Sequence, residues 1–250
     1  MRTTTRPKRH RRLLARTAVW ATVTVLLAAC GASGAGAPPH PTSSPTVTSC
    51  LTPSGDLLAD IDADGRTDRV FDPSRTGARL TVAFGEKTGY GAPVGVRKLV
   101  GGSGSGEKDV VGAVADFDGD GWSDLVVVAT GQNQGDDAIE PAVAELVSGP
   151  FSASGRGQRS RHLDLVETRG IAVADYDHDS RPDLAVFSYS GDGVYQTEAR
   201  LGSTETGLAD ATAATRTKYT AYAYSKYPVK LPRSGLSGFY PKCGTAGGQG

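Results

Sequence analysis

The chain has 250 residues, 38% of them hydrophobic, and its 27 basic and 27 acidic side chains give a formal net charge of zero. Seven of the cations lie within the first 29 residues, so the remainder carries 20 basic against 27 acidic residues, a net charge of −7. An acidic body suits a protein that collects divalent cations, and it argues against nucleic acid as a partner.

The N-terminus has the features of an export signal. Residues 1–29 contain no acid, and an apolar run from Thr17 to Ala29 is too short to span a bilayer comfortably. The run ends in Leu27-Ala28-Ala29-Cys30, which resembles the lipobox of bacterial lipoproteins. That resemblance implies a lipidated Cys30 that anchors the exported chain to the outer face of the cytoplasmic membrane. An ordinary secretory signal cleaved nearby is the alternative.

Residues 30–49 are predicted to form a flexible tether, because Gly, Ala, Ser, Thr and Pro dominate a segment that has little apolar surface to bury. Cys50 and Cys243 then bracket a region of almost 200 residues, enough for one domain, and residues 244–250 form a short tail. Outside the cytoplasm such a pair is usually oxidised, which favours a Cys50–Cys243 disulfide over two unrelated thiols.

Between these cysteines, short apolar and β-branched runs recur between glycine-rich segments, and no stretch has sustained helical periodicity. This pattern predicts an all-β domain. The runs are Leu80 to Phe84, Val110 to Ala115, Leu125 to Ala129, Ala142 to Val147, Ile171 to Ala174 and Leu184 to Tyr189.

A nine-residue acidic loop occurs three times, at 60–68, 116–124 and 175–183, which we call loops 1, 2 and 3. A near-constant spacing of this kind is typical of a repeat architecture. Each loop has aspartate at positions 1, 3, 5 and 9, an arrangement that supplies the several oxygens calcium requires. These residues are Asp60, Asp62, Asp64 and Asp68; Asp116, Asp118, Asp120 and Asp124; Asp175, Asp177, Asp179 and Asp183.

Each loop is predicted to join two strands and to turn its apolar second residue (Ile61, Phe117 or Tyr176) inward. An EF-hand would need flanking helices and a glutamate at position 12, and neither is present. Glycine at position 6 of loops 1 and 2 permits a sharp turn, whereas loop 3 has Ser180 there.

These units resemble the FG-GAP/VCBS repeat family, the blades of integrin-alpha-type β-propellers, over roughly residues 55–200. The resemblance implies that calcium is bound by the twelve aspartates and by the backbone carbonyls of Arg66, Trp122 and Arg181. It departs from the family pattern at Arg69, where leucine is usual, and at Ser180. The alternative is that the acidic residues merely cap exposed β-turns.

We therefore predict an FG-GAP-type β-propeller or partial propeller of three recognisable blades, in which the region after Gly202 either forms a degenerate fourth blade or leaves an open arc of blades. Five of the nine tyrosines lie beyond Gly202, where they would pack along a strand edge or, alternatively, stack on sugars. Residues 211–250 carry six cations and no acid, which would pack near the acidic body or form a site for an anionic polymer.

No catalytic motif is evident. The resulting expectation is a surface-anchored calcium-binding lipoprotein that acts in adhesion or scaffolding towards a protein or glycan of the cell envelope. The runner-up is an extracellular hydrolase or lyase with a site near Asp136, Asp137 and His162. A third interpretation is an envelope sensor or accessory lipoprotein.

Overall fold

The structure is a computed structural model that describes residues 40, 41, 43–101, 106–224 and 235–244. The chain divides into two units, Met1–Gly34 and Ala35–Gly250, and every described residue belongs to the second. Cys30 and the export signal therefore lie outside the described residues. Neither α-helix in the described part of the chain is long and apolar enough to cross a membrane.

The first sheet has five antiparallel strands that follow one another in chain order. They are β1 (Cys50–Leu51), β2 (Leu57–Ala59), β3 (Asp68–Phe71), β4 (Thr81–Ala83) and β5 (Val94–Gly95). Loop 1 connects β2 to β3, with Ala59 paired to Asp68 at the mouth of the loop. The short helix α1 (Val96–Leu99) follows and buries Val96 and Leu99.

The second sheet is a four-stranded antiparallel meander, and loop 2 joins its first two strands. The strands are β6 (Glu107–Ala115), β7 (Asp124–Gly131), β8 (Val143–Ser148) and β9 (Arg159–His162). Strands β6 and β7 pair from Glu107↔Gly131 to Ala115↔Asp124. Seven of the eight residues of β7 are buried, which explains its continuous apolar sequence.

The third sheet repeats this plan with β10 (Thr168–Ala174), β11 (Asp183–Gly191) and β12 (Val194–Arg200), and loop 3 joins β10 to β11. A hairpin of β13 (Gly202–Ser203) and β14 (Gly207–Leu208) follows, and then helix α2 (Ala213–Tyr219). Strand β15 (Ala221–Tyr224) returns to pair with β12 as the fourth strand of the third sheet. Within the described residues, the region after Gly202 thus completes the third sheet and adds a two-stranded hairpin instead of a further four-stranded blade.

The second sheet is buried on both faces because alternate residues face alternate neighbours. Val110 and Val127 join the core shared with the first sheet and α1. Val111 and Val126 join a separate core shared with the third sheet. The three sheets therefore pack face to face in chain order, as the blades of a partial propeller do, and the described strands form no closed barrel.

Two segments tie the three sheets together near the middle of the domain. In the loop after β3, the carbonyl of Thr76 accepts a hydrogen bond from Ile171 of β10 (2.9 Å), and that of Gly77 accepts one from Gly112 of β6 (3.1 Å). The C-terminal segment 235–244 includes a 3₁₀ turn at Leu236–Gly238. Its Gly235 amide donates to Val173 of β10 (2.7 Å).

The same C-terminal segment closes the domain onto its first strand. Leu51 donates its amide to the Pro241 carbonyl and accepts from the Cys243 amide, both at 2.8 Å. Cys50 and Cys243 form a disulfide across this contact, at a sequence separation of 193. First and last elements of the described domain are thus joined covalently as well as by hydrogen bonds.

Candidate metal centres

Position 9 of each acidic loop is the anchor of its blade. Its carboxylate is almost fully buried and accepts one amide from position 2 of the same loop and a second from a glycine that follows the second strand after the loop. In loop 2, Asp124 accepts from Phe117 (3.0 Å) and from Gly149 (2.9 Å). Asp68 accepts from Ile61 and Gly85, and Asp183 accepts from Tyr176 and Gly202. Position 9 therefore joins the loop to the next turn in all three repeats.

Close packing requires glycine as the second amide donor to each position 9 carboxylate. A Cβ atom on Gly149 would lie 2.2 Å from the carbonyl oxygen of Ser123, at position 8 of loop 2. A Cβ on Gly85 or on Gly202 would lie 2.6 Å from the corresponding oxygen of Thr67 or Pro182. The acidic-loop pattern does not locate these glycines, because each lies at a different sequence distance from position 9 of its loop.

All three loops have the same left-handed backbone at positions 4 and 6. Position 6 has φ values of 79° at Gly65, 94° at Gly121 and 66° at Ser180, so the serine adopts the turn that glycine makes elsewhere. Position 4 is left-handed too, with φ values of 60° at Ala63 and 63° at His178. The sequence pattern predicted the first of these turns and missed the second.

Three groups of carboxylates could each hold a metal ion, and each consists of positions 1, 3 and 9 of one loop. Within each group, one ligand atom from every residue lies within 4.8 Å of the others. The groups are Asp60, Asp62 and Asp68; Asp116, Asp118 and Asp124; Asp175, Asp177 and Asp183. The structure therefore brings together nine of the twelve aspartates that the sequence singled out.

The side chain at position 5, also among the predicted ligands, belongs to none of these groups. Asp120 and Asp179 accept the backbone amides of Trp122 (2.7 Å) and Arg181 (2.8 Å), two residues later. Asp64 likewise accepts the amide of Arg66 and forms an ion pair with its guanidinium group. Positions 1 and 3 also accept nearby amides, as Asp116 does from Gly119 and Gly121, so the grouping of carboxylates, not the local hydrogen bonding, distinguishes position 5.

The donor set fits a hard cation. Oδ1 of Asp62 and Oδ1 of Asp175 are buried and have no hydrogen-bond partner among the described residues. The position 9 oxygens each accept one amide, which leaves a second lone pair on each for an ion. Unpartnered buried carboxylate oxygens are costly unless a cation or proton compensates them.

The electrostatics of the loops are those of crowded anions. Burial raises the pKa of Asp124 to about 8 and that of Asp68 to about 7, and neighbouring loop carboxylates add to both. Burial and the same repulsion raise the pKa of Asp62 and of Asp116 to about 6. Each loop therefore holds negative charge that the protein alone does not neutralise.

The second residue of each loop packs as the spacing predicts in two cases and differently in the third. Ile61 and Phe117 are fully buried in the two cores. Tyr176 is only half-buried, and its ring meets that of Tyr219 in α2 edge-on at a centroid distance of 5.6 Å. Loop 3 therefore contacts the helix that follows the third blade.

Two contacts to loops 1 and 2 come from outside the repeats. The hydroxyl of Tyr240 accepts a hydrogen bond from the amide of Asp116 (2.9 Å). A shallow cavity beside loop 1 is lined by Asp60 and Asp64, by Trp122, and by tether residues that include His40 and Thr46. No sequence signal marks Tyr240, since it lies 124 residues from its partner.

The residues of the predicted hydrolase site are not joined in the structure. His162 lies in β9 with Nδ1 3.9 Å from Oε1 of Glu145. The Asp136 carbonyl accepts hydrogen bonds from Asp192 and from the Tyr189 hydroxyl of the third sheet. Among the described residues, no hydrogen bond or ion pair joins His162 to Asp136 or Asp137.

Comparison with known proteins gives one match. A sequence-family model described as an FG-GAP-like repeat matches residues 116–186, which run from the start of loop 2 through loop 3 into β11. No curated protein and no solved structure matches the chain. The family match spans two of the three acidic loops, and the first sheet repeats the same loop geometry outside it. The chain thus contains an FG-GAP-like repeat over residues 116–186, which points to a repeat-type binding or adhesion module.

Proposed function

We propose that this protein is a calcium-stabilised binding module, attached by lipidated Cys30 to the outer face of the bacterial cytoplasmic membrane. Its ligand would be a protein or a glycan of the cell envelope. The observation that carries the proposal is the threefold grouping of carboxylates at positions 1, 3 and 9, with position 9 buried in every loop. The proposal assigns no catalytic step to the chain.

Calcium explains the loop chemistry better than a set of turn caps does. A turn cap needs only one carboxylate hydrogen-bonded to nearby amides, as position 5 provides and as position 1 also does in loops 1 and 2. Positions 1, 3 and 9 instead bring three carboxylates to one point, where they repel one another until a cation neutralises them. Calcium accepts six to eight oxygens in a flexible geometry, and its extracellular sites have dissociation constants of about 10⁻⁴–10⁻³ M.

In this role the ion supports the fold. It would be held by positions 1 and 3 together with position 9, whose carboxylate also fixes the neighbouring turn. Filling such a site at millimolar calcium adds about 1 kcal/mol of stability by mass action. The rigid blades would then present the ligand-binding surface.

Loop 3 offers a matched pair of variants that tests the ion assignment. Asp177→Asn removes a carboxylate from the position 3 group, and Asp179→Asn removes one from position 5 and keeps an oxygen for the turn. Calcium titration calorimetry should show one site lost in the first variant and the wild-type number of sites in the second. Equal calcium binding by all three proteins, or no calcium binding by the wild type, would overturn the proposal.

The anchor has a separate test. In cells grown with a radiolabelled fatty acid, the wild-type chain should carry label and sediment with membranes. A Cys30→Ser variant should carry no label and appear in the soluble or secreted fraction. Labelling that persists in Cys30→Ser would contradict the assignment.

A further inference from the structure

A polar groove of about 280 Å³ lies beside the third sheet, and none of its lining residues belongs to an acidic loop. Strand β12 supplies its floor, and its walls come from α2, from β15 and from the segment after β9. The residues that define it are Val166, Gln196, Glu198, Arg216, Thr220 and Tyr222. Its volume is close to the lower end of the range for small-molecule sites, about 300–1,000 Å³.

Two exposed apolar side chains border the groove. Tyr222 is 62% exposed and Val166 is 37% exposed. They are two of the four large hydrophobic side chains that are exposed in the described part of the chain. An aromatic ring left in water beside a concave polar surface is a platform for stacking, because its apolar face gains from contact with a ligand.

The polar side chains of the groove have unused hydrogen-bonding capacity. The hydroxyl of Thr220 is buried and has no partner within the described residues. In the same part of the structure, the side chains of Gln196 and Arg216 take part in no hydrogen bond. Gln196 lies directly opposite Tyr222 in the β12–β15 ladder, so both side chains project from the same face of the sheet.

The charges of the groove balance one another. The Glu198 carboxylate is 7% exposed and forms an ion pair with Arg200 at 3.0 Å. Arg200 also donates a hydrogen bond to the backbone carbonyl of Asp164. Two carboxylates, of Asp164 and Glu198, thus face two guanidinium groups, of Arg200 and Arg216. A site with no net charge and with planar hydrogen-bonding groups suits an uncharged ligand that has many hydroxyl groups.

We propose that this groove binds an uncharged hexopyranose oligosaccharide, with one sugar ring stacked on Tyr222 and its hydroxyls bonded to Gln196, Arg216 and Thr220. Sugar rings have an apolar C–H face that matches an aromatic ring, and adjacent hydroxyls match the two-pronged geometry of amide and guanidinium groups. The inference rests on the proposed function, since it names the ligand class and the surface of that binding module.

The test is a binding titration of the full-length chain, purified with calcium, against neutral tetrasaccharides. The probes are cellotetraose, chitotetraose, maltotetraose and mannotetraose, with tetragalacturonate as the charged comparison. We expect at least one neutral probe to bind and tetragalacturonate to bind more weakly. Tyr222→Ala should weaken binding by about tenfold or more, since it removes the stacking surface. Tyr222→Phe keeps that surface and should change affinity less than about threefold.

Two further variants locate the site. Gln196→Ala should also weaken binding, whereas Tyr90→Ala, which removes an exposed aromatic ring from the first sheet, should leave it unchanged. Melting temperatures of all variants control for folding. The inference is overturned if no neutral probe binds, if tetragalacturonate binds best, or if Tyr222→Ala and Gln196→Ala bind as the wild type does.

Calcium titration of the same samples separates this inference from the proposed function. A chain that binds calcium but no oligosaccharide would overturn the glycan groove and leave the calcium-stabilised module standing. A chain that binds oligosaccharide but no calcium would do the reverse.

Discussion

At the scale of single residues, the position 9 aspartates combine two demands. Asp124 must stay buried to hold the amides of Phe117 and Gly149, and it must also lie beside Asp116 and Asp118. Hydrogen bonds favour its ionised form, while burial and the neighbouring carboxylates oppose it more strongly. The ion-free loop is therefore under electrostatic strain at neutral pH.

This strain predicts the pH dependence of the calcium-free protein. Carboxyl groups whose pKa is raised by folding bind more protons in the folded state, so stability should rise as the pH falls from about 8.5 towards about 5. Asp124, with a pKa of about 8, and Asp68, with a pKa of about 7, set the upper part of that window. Urea unfolding in a chelator at several pH values measures the effect.

Bound calcium should relieve the electrostatic strain of the loop carboxylates. With saturating calcium, the ion neutralises the ionised carboxylates, so the gain in stability at low pH should shrink or vanish. An Asp124→Asn variant should likewise flatten the curve in chelator. A calcium-free protein that becomes steadily less stable between about pH 8.5 and about pH 5 would contradict this account.

At the scale of the element, each blade is a meander whose acidic loop is attached to a glycine two strands further along the chain. The strands that flank the loops were predictable, because their apolar residues sit directly beside the Asp-x-Asp pattern. Strand β9 was not predictable, since Arg159–His162 is polar and forms a sheet edge. Strand β12 was missed for a related reason, because Glu198 and Arg200 are buried as an ion pair.

Because the hydrogen bond from Gly149 attaches loop 2 to the next turn, we expect Gly149→Ala to be strongly destabilising. An added Cβ would collide with the carbonyl of Ser123 at 2.2 Å, and the backbone shift that relieves the collision would break the hydrogen bond to Asp124. We expect a loss of about 2–3 kcal/mol in the free energy of unfolding. Gly95→Ala is the control, because no atom lies within 4 Å of its added Cβ. Equal stability of the two variants in urea unfolding would refute the close-packing explanation.

At the scale of the whole molecule, the described domain is an arc of three sheets whose ends are joined. The sequence supported this architecture through the repeat spacing and the two bracketing cysteines. It did not reveal that Thr76 and Gly77 bond to two other sheets, or that α2 lies where a fourth blade was expected. Such contacts depend on tertiary proximity, which leaves no local pattern in the sequence.

Because the disulfide joins the two ends of the domain, its removal should lower the free energy of unfolding substantially. A Cys50→Ser, Cys243→Ser double variant should lose about 3–5 kcal/mol of unfolding free energy, since the bond closes a long loop in the unfolded chain. Wild-type protein unfolded in the presence of a reducing agent should match the variant. An unchanged urea midpoint in both would contradict this prediction and would show that the non-covalent contacts of the C-terminal segment suffice to hold it.

The edge-on contact between Tyr176 and Tyr219 has a thermodynamic consequence. Tyr176 belongs to loop 3, and α2, which carries Tyr219, also supplies Arg216 to the wall of the groove. If the ion in loop 3 and the sugar in the groove both favour one placement of α2, each must strengthen the other by the same factor. Calcium affinity measured with and without the best-binding tetrasaccharide should reveal that coupling, and Tyr219→Ala should abolish it while leaving both ligands able to bind. The protein would then bind its glycan more tightly where the calcium concentration is high, as it is outside the cell.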